Sequence, residues 1–438
     1  MSRIYGTIFK SLIFPAIQKV SGRDTLAVLE RSETTEKLAR EEIARIQREK
    51  LRRLLVHARD NVAYYRRFFE IADLQPEKMK IPEDFTRIPL LSKEEIRGDP
   101  RVLIADNAAG RLREFRTGGS TGEPFPFWKD PHAVAVQLAD IRRTRRWWDI
   151  DLDSRVARLW GHSAVFAPGT KGRLQKYFRP IHNRIMNRRE FSAYDLRPEA
   201  LERYWRKLNK FSPRMLLGYA SALYLLARFL RDRGIDARSL SLDLIVSTSE
   251  TLPESRRRLI EEVFGCPVAL RYGAVETGEL AFECPRGTLH VLDDHIYLEV
   301  VRTEETNHLP DDYGEVVVTS LENFAAPLIR YRLYDIARLG EEECACGRKL
   351  SVLKGIEGRL HDLIRTPDGG YVHGEIFTHL LDQIEGVKKF QVTQDSPEKL
   401  TVTLVGPSLP SRRERAVKDS LRRHLSEQIG RASCRESE

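Results

Sequence analysis

Three short apolar runs constrain the fold of this chain more than any other feature. "RMLLGYASAL" (214–223), "LDLIVSTSETL" (242–252) and "CPVALRYGAVETG" (266–278) each hold a strand-length apolar core and then turn small or polar. Helix-length segments separate them, so the pattern predicts a βαβ-type sheet. Ligands collect at the carboxyl ends of the strands in such sheets. Those ends carry Gly218 and Tyr219, then Ser247 to Glu250, then Tyr272 and Gly273. A further strand at 155–160 leads to Gly161-His162-Ser163.

Upstream, residues 115–128 read "FRTGGSTGEPFPFW". Thr117, Gly118, Gly119, Ser120, Thr121 and Gly122 contain no large side chain. Glycine lets a backbone approach phosphate oxygens, and successive backbone N–H groups form an anion-binding concavity. A nucleotide-phosphate loop between two strands and a plain glycine turn in a hairpin both fit. The stretch lacks the Gly-Lys-Ser/Thr of a Walker loop.

A chain of 438 residues is too long for one ordinary core, and two or more domains are expected. With 41% hydrophobic and 31% charged residues the chain reads as a globular protein. A net charge of +9 suits anionic ligands. No nucleic-acid module accompanies it, and basic residues alternate with acidic ones. The five cysteines are Cys266, Cys284, Cys344, Cys346 and Cys434. An odd count in a large chain argues against a disulfide scaffold and for a reducing cytoplasm. No run reaches the roughly 20 apolar residues that span a bilayer. Met1–Val20 predicts an amphipathic helix, docked on the protein itself in preference to a membrane surface.

Apolar spacing predicts helices over 35–70. Ser92 with Glu95 forms a capping box that opens a helix. The arginine-rich helix expected at 131–149, with Arg142, Arg143, Arg145 and Arg146, reads as a solvated face. From about 285 the strands "LHVLDDHIYLEVV" (289–301), "GEVVVTSL" (314–321) and "PLIRYRLYDIARLG" (327–340) predict an antiparallel subdomain. Strands at 389–393 and 400–405 with a helix at 411–427 predict a small α+β lid.

The glycine loop, Tyr272-Gly273-Ala274-Val275-Glu276-Thr277-Gly278, Tyr331-Arg332-Leu333-Tyr334-Asp335 and Gly358-Arg359-Leu360-His361-Asp362 follow one another in the chain. In this order they resemble the adenylate-forming enzymes, the acyl-CoA synthetase superfamily. The likeness is greatest to the phenylacetate–CoA ligase branch with its CapK-like relatives, from about residue 40 to about 428. The resemblance implies an α/β fold and, through a similar His-Ala…Asn-x-x-Tyr-Tyr stretch that packs the N-terminal helices, a structural role for His57. A large N-terminal adenylation domain (1–357) would contain βαβ-type sheets and an antiparallel subdomain. A hinge (358–362), a partial C-terminal lid (363–428) and a tail (429–438) would follow.

The implied activity is ATP-dependent conversion of a small carboxylic acid, of which an aromatic acid is one case, to an acyl-adenylate and then a CoA thioester. Thr117 to Gly122 would cradle the β- and γ-phosphates. Glu276 would ligate Mg2+, and Tyr272 and Gly273 would lie against adenine or acyl group. Asp335 would accept the ribose hydroxyls, and Arg359 would support ribose or phosphate. Gly218, Tyr219 and His162 would line the acid pocket. A homodimer is compatible with this reading.

Cys284, His290, Cys344 and Cys346 form a second constellation. Three thiolates and an imidazole are a closed, structural zinc set, with His295 as a substitute for His290. Reduced cysteines without metal are the alternative.

The sequence departs from the resembled pattern in three places. Phe125 stands where many members carry a lysine after the loop's proline. His361 and Asp362 stand where two acidic residues are usual. No lysine occurs in "IGRASCRESE" (429–438), which resembles a translated sequencing-adapter oligonucleotide and is expected to be foreign. An adenylating enzyme with a non-CoA acceptor in polysaccharide assembly, and a non-catalytic nucleotide-binding protein, are the competing readings.

Overall fold

The computed structural model describes residues 3–108, 112–116, 125–161, 178–307, 309–340, 343–359, 363–365, 371–373, 377, 389–396, 399–405 and 432–436. The loop residues Thr117 to Gly122, His162, the hinge residues His361 and Asp362 and the helix expected at 411–427 lie outside them. The chain divides into two units: Met1–Val300 with Val316–Leu333 and Arg338–Gly355, and Val301–Glu315 with Tyr334–Ala337 and Ile356–Glu438.

The strands in chain order are β1 (Arg113–Arg116), β2 (Pro126–Lys129), β3 (Val156–Trp160), β4 (Arg188–Ser192), β5 (Met215–Tyr219), β6 (Leu244–Thr248), β7 (Val268–Ala274), β8 (Gly278–Glu283), β9 (Leu289–Val291), β10 (Ile296–Val301), β11 (Gly314–Ser320), β12 (Tyr331–Gly340) and β13 (Val352–Arg359). β1 and β2 form an antiparallel pair, and β3 to β13 form an eleven-stranded sheet ordered β10-β11-β12-β13-β9-β8-β7-β6-β5-β3-β4. β4, β3, β5, β6 and β7 run parallel. β8 then pairs antiparallel with β7 and with β9. The βαβ part and the antiparallel part expected as separate regions thus share one sheet. The second unit contributes the pair Leu363–Arg365 with Tyr371–His373 and a sheet of Lys389–Ser396, Lys399–Val405 and Ala432–Glu436.

Continuous apolar runs follow from burial on both faces of the parallel strands. Ala157, Leu159, Leu216, Ile245 and Val268 pack under helices 198–211, 220–232 and 254–264. The alternate residues Val156, Leu217, Val246 and Ala269 face the other way, against Trp147, Ile150 and Ile43. Helices Arg40–Asn61 and Ala63–Ile71 form where the spacing predicted them. His57 Nε2 lies 2.9 Å from the Phe324 carbonyl, a packing role as expected. Ser92 and Glu95 complete both bonds of the capping box. The N-terminal segment is helical from Arg3 to Ser21 and buries Phe9 and Phe14 within the protein. No helix among the described residues is long and apolar enough to cross a membrane.

The arginine run on helix Pro131–Arg146 is not a solvated face. Arg143 is 0% exposed and donates from one nitrogen to both Asp294 oxygens at 2.9 Å and from the other to Asp140 at 3.0 Å. Its spacing mimics a surface pattern because Asp294, the acid that accepts twice from it, arrives from a distant loop.

Candidate active site

The register sets three strand ends side by side. Gly218 pairs with Ser247 and Ser247 with Leu270; one step on, Tyr219 pairs with Thr248 and Thr248 with Arg271. The Tyr219 ring lies 4.7 Å from that of Trp160. Burial pushes the Tyr219 phenol up, so it remains a neutral donor. A Cβ on Gly218 would meet Leu223 at 3.0 Å and Leu159 at 3.3 Å, so a larger residue would crowd both side chains. Ser247 Oγ is buried without a partner among the described residues, and a ligand atom there would satisfy it. Glu250 accepts from the Ser221 amide at 2.7 Å and its hydroxyl at 3.0 Å. A carboxylate at the start of a helix is favourable, and this one ties two strand ends together.

The turn between β7 and β8 carries the next group. Its ladder breaks between Tyr272 and Gly273. A Cβ on Gly273 would lie 2.4 Å from the Gly278 carbonyl oxygen, so the turn closes only on a glycine. The turn presents Glu276, which is 7% exposed. Lys93 Nζ lies 2.8 Å from Glu276 Oε1, and the Tyr331 hydroxyl donates to the same oxygen at 3.4 Å. Both contacts fall on Oε1, which leaves Oε2 for a cation. A buried carboxylate suits Mg2+, which takes oxygen ligands.

Lys129 was not foreseen. It closes β2, is 3% exposed, and donates to the Val275 carbonyl at 3.1 Å and to Gln137 Oε1 at 3.2 Å. It sits 5.3 Å and 5.6 Å from the centres of the Phe115 and Phe127 rings. Burial pushes it down from 10.5 to about 8, against the pull of Glu276. The β1–β2 register joins Arg116 to Pro126, so these strands close a hairpin around the glycine loop. Lys129 and Lys93 both reach the Glu276 turn from elements far off in sequence, and no spacing rule connects them to it. Asp335 in β12 and Arg359 at the end of β13 belong to the second unit.

The ligand atoms of Cys284, His290, Cys344 and Cys346 lie within 4.8 Å of one another. Cys284 Sγ is 3.7 Å from Cys344 Sγ, and Cys346 Sγ is 3.2 Å from His290 Nε2. The amides of Arg286 and Cys346 each point at the sulfur two residues before, at 3.4 Å. Such amides favour thiolates, and the donor set fits zinc. Burial pushes His290 down to about 4, which leaves a neutral imidazole with a free lone pair. His295 is placed elsewhere: its Nδ1 is 2.8 Å from Asp140. Of the two candidate histidines the fold therefore selects His290.

No protein-family model matches the chain. CapK of Staphylococcus aureus is 24% identical over 362 residues, which cover 82% of this chain and 78% of CapK. Phenylacetate-coenzyme A ligase of Thermus thermophilus is 27% identical over 339 residues, covering 75% of this chain and 73% of that protein. A solved structure of 2-hydroxyisobutyryl-CoA ligase, in its postadenylation state with R3-HIB-AMP, superposes with a TM-score of 0.71 at 20% identity, covering 92% of this chain and 87% of that one. The fold is that of the adenylate-forming CoA ligases. By sequence the chain is a homologue of the phenylacetate–CoA ligases and CapK.

Proposed function

We propose that this protein activates a carboxylic acid with ATP and transfers the acyl group to CoA. The observation that carries the reading is the Glu276 turn, with Gly273 closing it, Lys93 and Lys129 on it and the unpartnered Ser247 Oγ on the neighbouring strand β6, in a chain homologous to phenylacetate–CoA ligases. In the first half-reaction the acid's carboxylate oxygen attacks the α-phosphorus of ATP. An oxygen–phosphorus bond forms and pyrophosphate leaves. In the second, the CoA thiol attacks the acyl carbonyl, loses its proton, and AMP leaves.

The residue roles follow the resemblance. Thr117 to Gly122 hold the terminal phosphates, Asp335 the ribose, and Arg359 ribose or phosphate beside a hinge at 358–362. Tyr272 and Gly273 lie against adenine or acyl group, and Gly218, Tyr219 and His162 bound the acid. Glu276 would hold Mg2+, which when bound screens phosphate charge. Lys129 fixes the turn through the Val275 carbonyl, and Lys93 keeps the Glu276 carboxylate oriented. Cys284, His290, Cys344 and Cys346 would hold a structural zinc that pins the end of β8 and β9 to the 343–349 loop.

The test is acid-dependent pyrophosphate release by the full chain with MgATP over a panel of aromatic and aliphatic acids, followed by CoA-dependent AMP formation. Release with at least one acid, and AMP formation that requires CoA, are expected. Nucleotide binding without release for any acid would replace this reading with a binding protein. Release without a CoA requirement would point to another acceptor.

A further inference from the structure

We propose that Arg145, Arg158 and Arg188 form a second anion site, a guanidinium cradle for a phosphate or carboxylate group carried by a substrate. Arg158 is the central residue of β3 and Arg188 opens β4. Val156 pairs with Arg188 and Arg158 with Glu190. Residues in register share a face and side chains alternate, so Arg158 and Arg188 project from the same side of the sheet. Arg158 also pairs with Leu217, which packs on the face that Trp147 covers. Arg145, in the last turn of helix Pro131–Arg146, is near enough to Arg188 for the two charges to repel.

Among the described residues the cradle lacks counter-charge: none of the three guanidiniums makes an ion pair or hydrogen bond with them, and Nε of Arg158 and of Arg188 are buried without a partner. The neighbouring carboxylates are taken. Glu279 pairs with Arg271 at 2.6 Å and accepts from Thr144. Glu190 pairs with Arg179 at 2.7 Å and accepts from Asn183 at 2.8 Å. In the sequence, the stretch 162–177 that follows β3 contains no Asp or Glu.

A guanidinium does not shed its proton at neutral pH. Burial without a partner is costly, and like charges add repulsion. Burial, with repulsion from Arg188, pushes Arg145 down to about 9 and Arg158 well below its ordinary value. An oxyanion removes both penalties, and the planar fork of arginine matches carboxylate and phosphate in bidentate fashion. These residues are separate from those assigned above to ATP and Mg2+. With the proposed function, two substrates supply such a group: CoA through its phosphates, or an acid with a second acidic group.

The experiment is thermal unfolding and calorimetric titration of the whole chain with inorganic phosphate, 3′,5′-ADP and malonate, each against potassium chloride at equal ionic strength. An anion that binds only the folded state raises Tm. The expected result is a higher Tm in phosphate than in chloride. Either 3′,5′-ADP or malonate should bind on the order of tenfold more weakly to Arg158→Met and Arg188→Met. Both variants should be more stable than the parent in chloride, because each removes an unneutralised cation. Loss confined to 3′,5′-ADP assigns the cradle to CoA, and loss confined to malonate assigns it to the acid. No anion-specific stabilisation of the parent, or the same increment in parent and variants, would overturn the proposal. Binding needs no turnover, so a failure of acid activation leaves this result interpretable.

Discussion

The ammonium of Lys129 donates to the main-chain carbonyl of Val275 at 3.1 Å. This one bond joins the strand that leaves the Thr117–Gly122 loop to the turn that carries Glu276. A buried lysine thus fixes the turn that carries Glu276 to the strand β2.

That lysine predicts a pH dependence. Its folded value is about 8 against an ordinary 10.5, so between these values the unfolded chain binds the proton and the folded chain does not. Stability relative to a variant without the amine therefore rises with pH in that window. The span corresponds to about 3 kcal/mol. Urea unfolding of the parent and of Lys129→Met at pH 7, 8.5 and 10 should show the variant's relative stability falling as pH rises. A constant difference would mean that Lys129 titrates normally.

Glu276→Gln keeps the volume of the side chain and removes its charge. Pyrophosphate release should fall on the order of 10²-fold with the fold retained. Gly273→Ala should act on the same turn by a different route, because the new methyl meets the Gly278 carbonyl. Both variants should keep the parent's far-ultraviolet dichroism while losing turnover. Unchanged rates in Glu276→Gln would remove this carboxylate from the reaction.

Purified protein should carry about one zinc per chain by mass spectrometry, bound by Cys284, His290, Cys344 and Cys346. Cys346→Ser should release it and lower Tm, since binding energy in a structural site is folding energy. Metal-free protein with all four residues intact and an unchanged Tm after chelation would exclude zinc here.

Arg143→Met should cost about 3–5 kcal/mol in urea unfolding, because it leaves Asp294 and Asp140 buried without their cation. Arg143 holds the Asp294 carboxyl well below the usual carboxylate range against the effect of burial. Arg45, paired with Glu42 and Glu49 on an exposed face, is the control: Arg45→Met should change stability by less than about 1 kcal/mol.

Much of this fold was legible in the chain because it rests on local rules. A strand buried on both faces must be a continuous apolar run, so β5, β6 and β7 stand out, and their small and polar ends lie side by side. The Ser92–Glu95 box is written in two residues three apart, and three cysteines with a histidine announce a tetrahedral donor set by chemistry alone. Only the tertiary structure could bring Lys93 and Lys129 to the Glu276 turn, choose His290 over His295, and bury Arg143 while leaving Arg145 and Arg158 unneutralised. The physical reason is common to all of these. Local propensity and periodicity act between neighbours in sequence, whereas the value of a charge depends on which distant partner the fold places within reach of it and on how much water the fold removes.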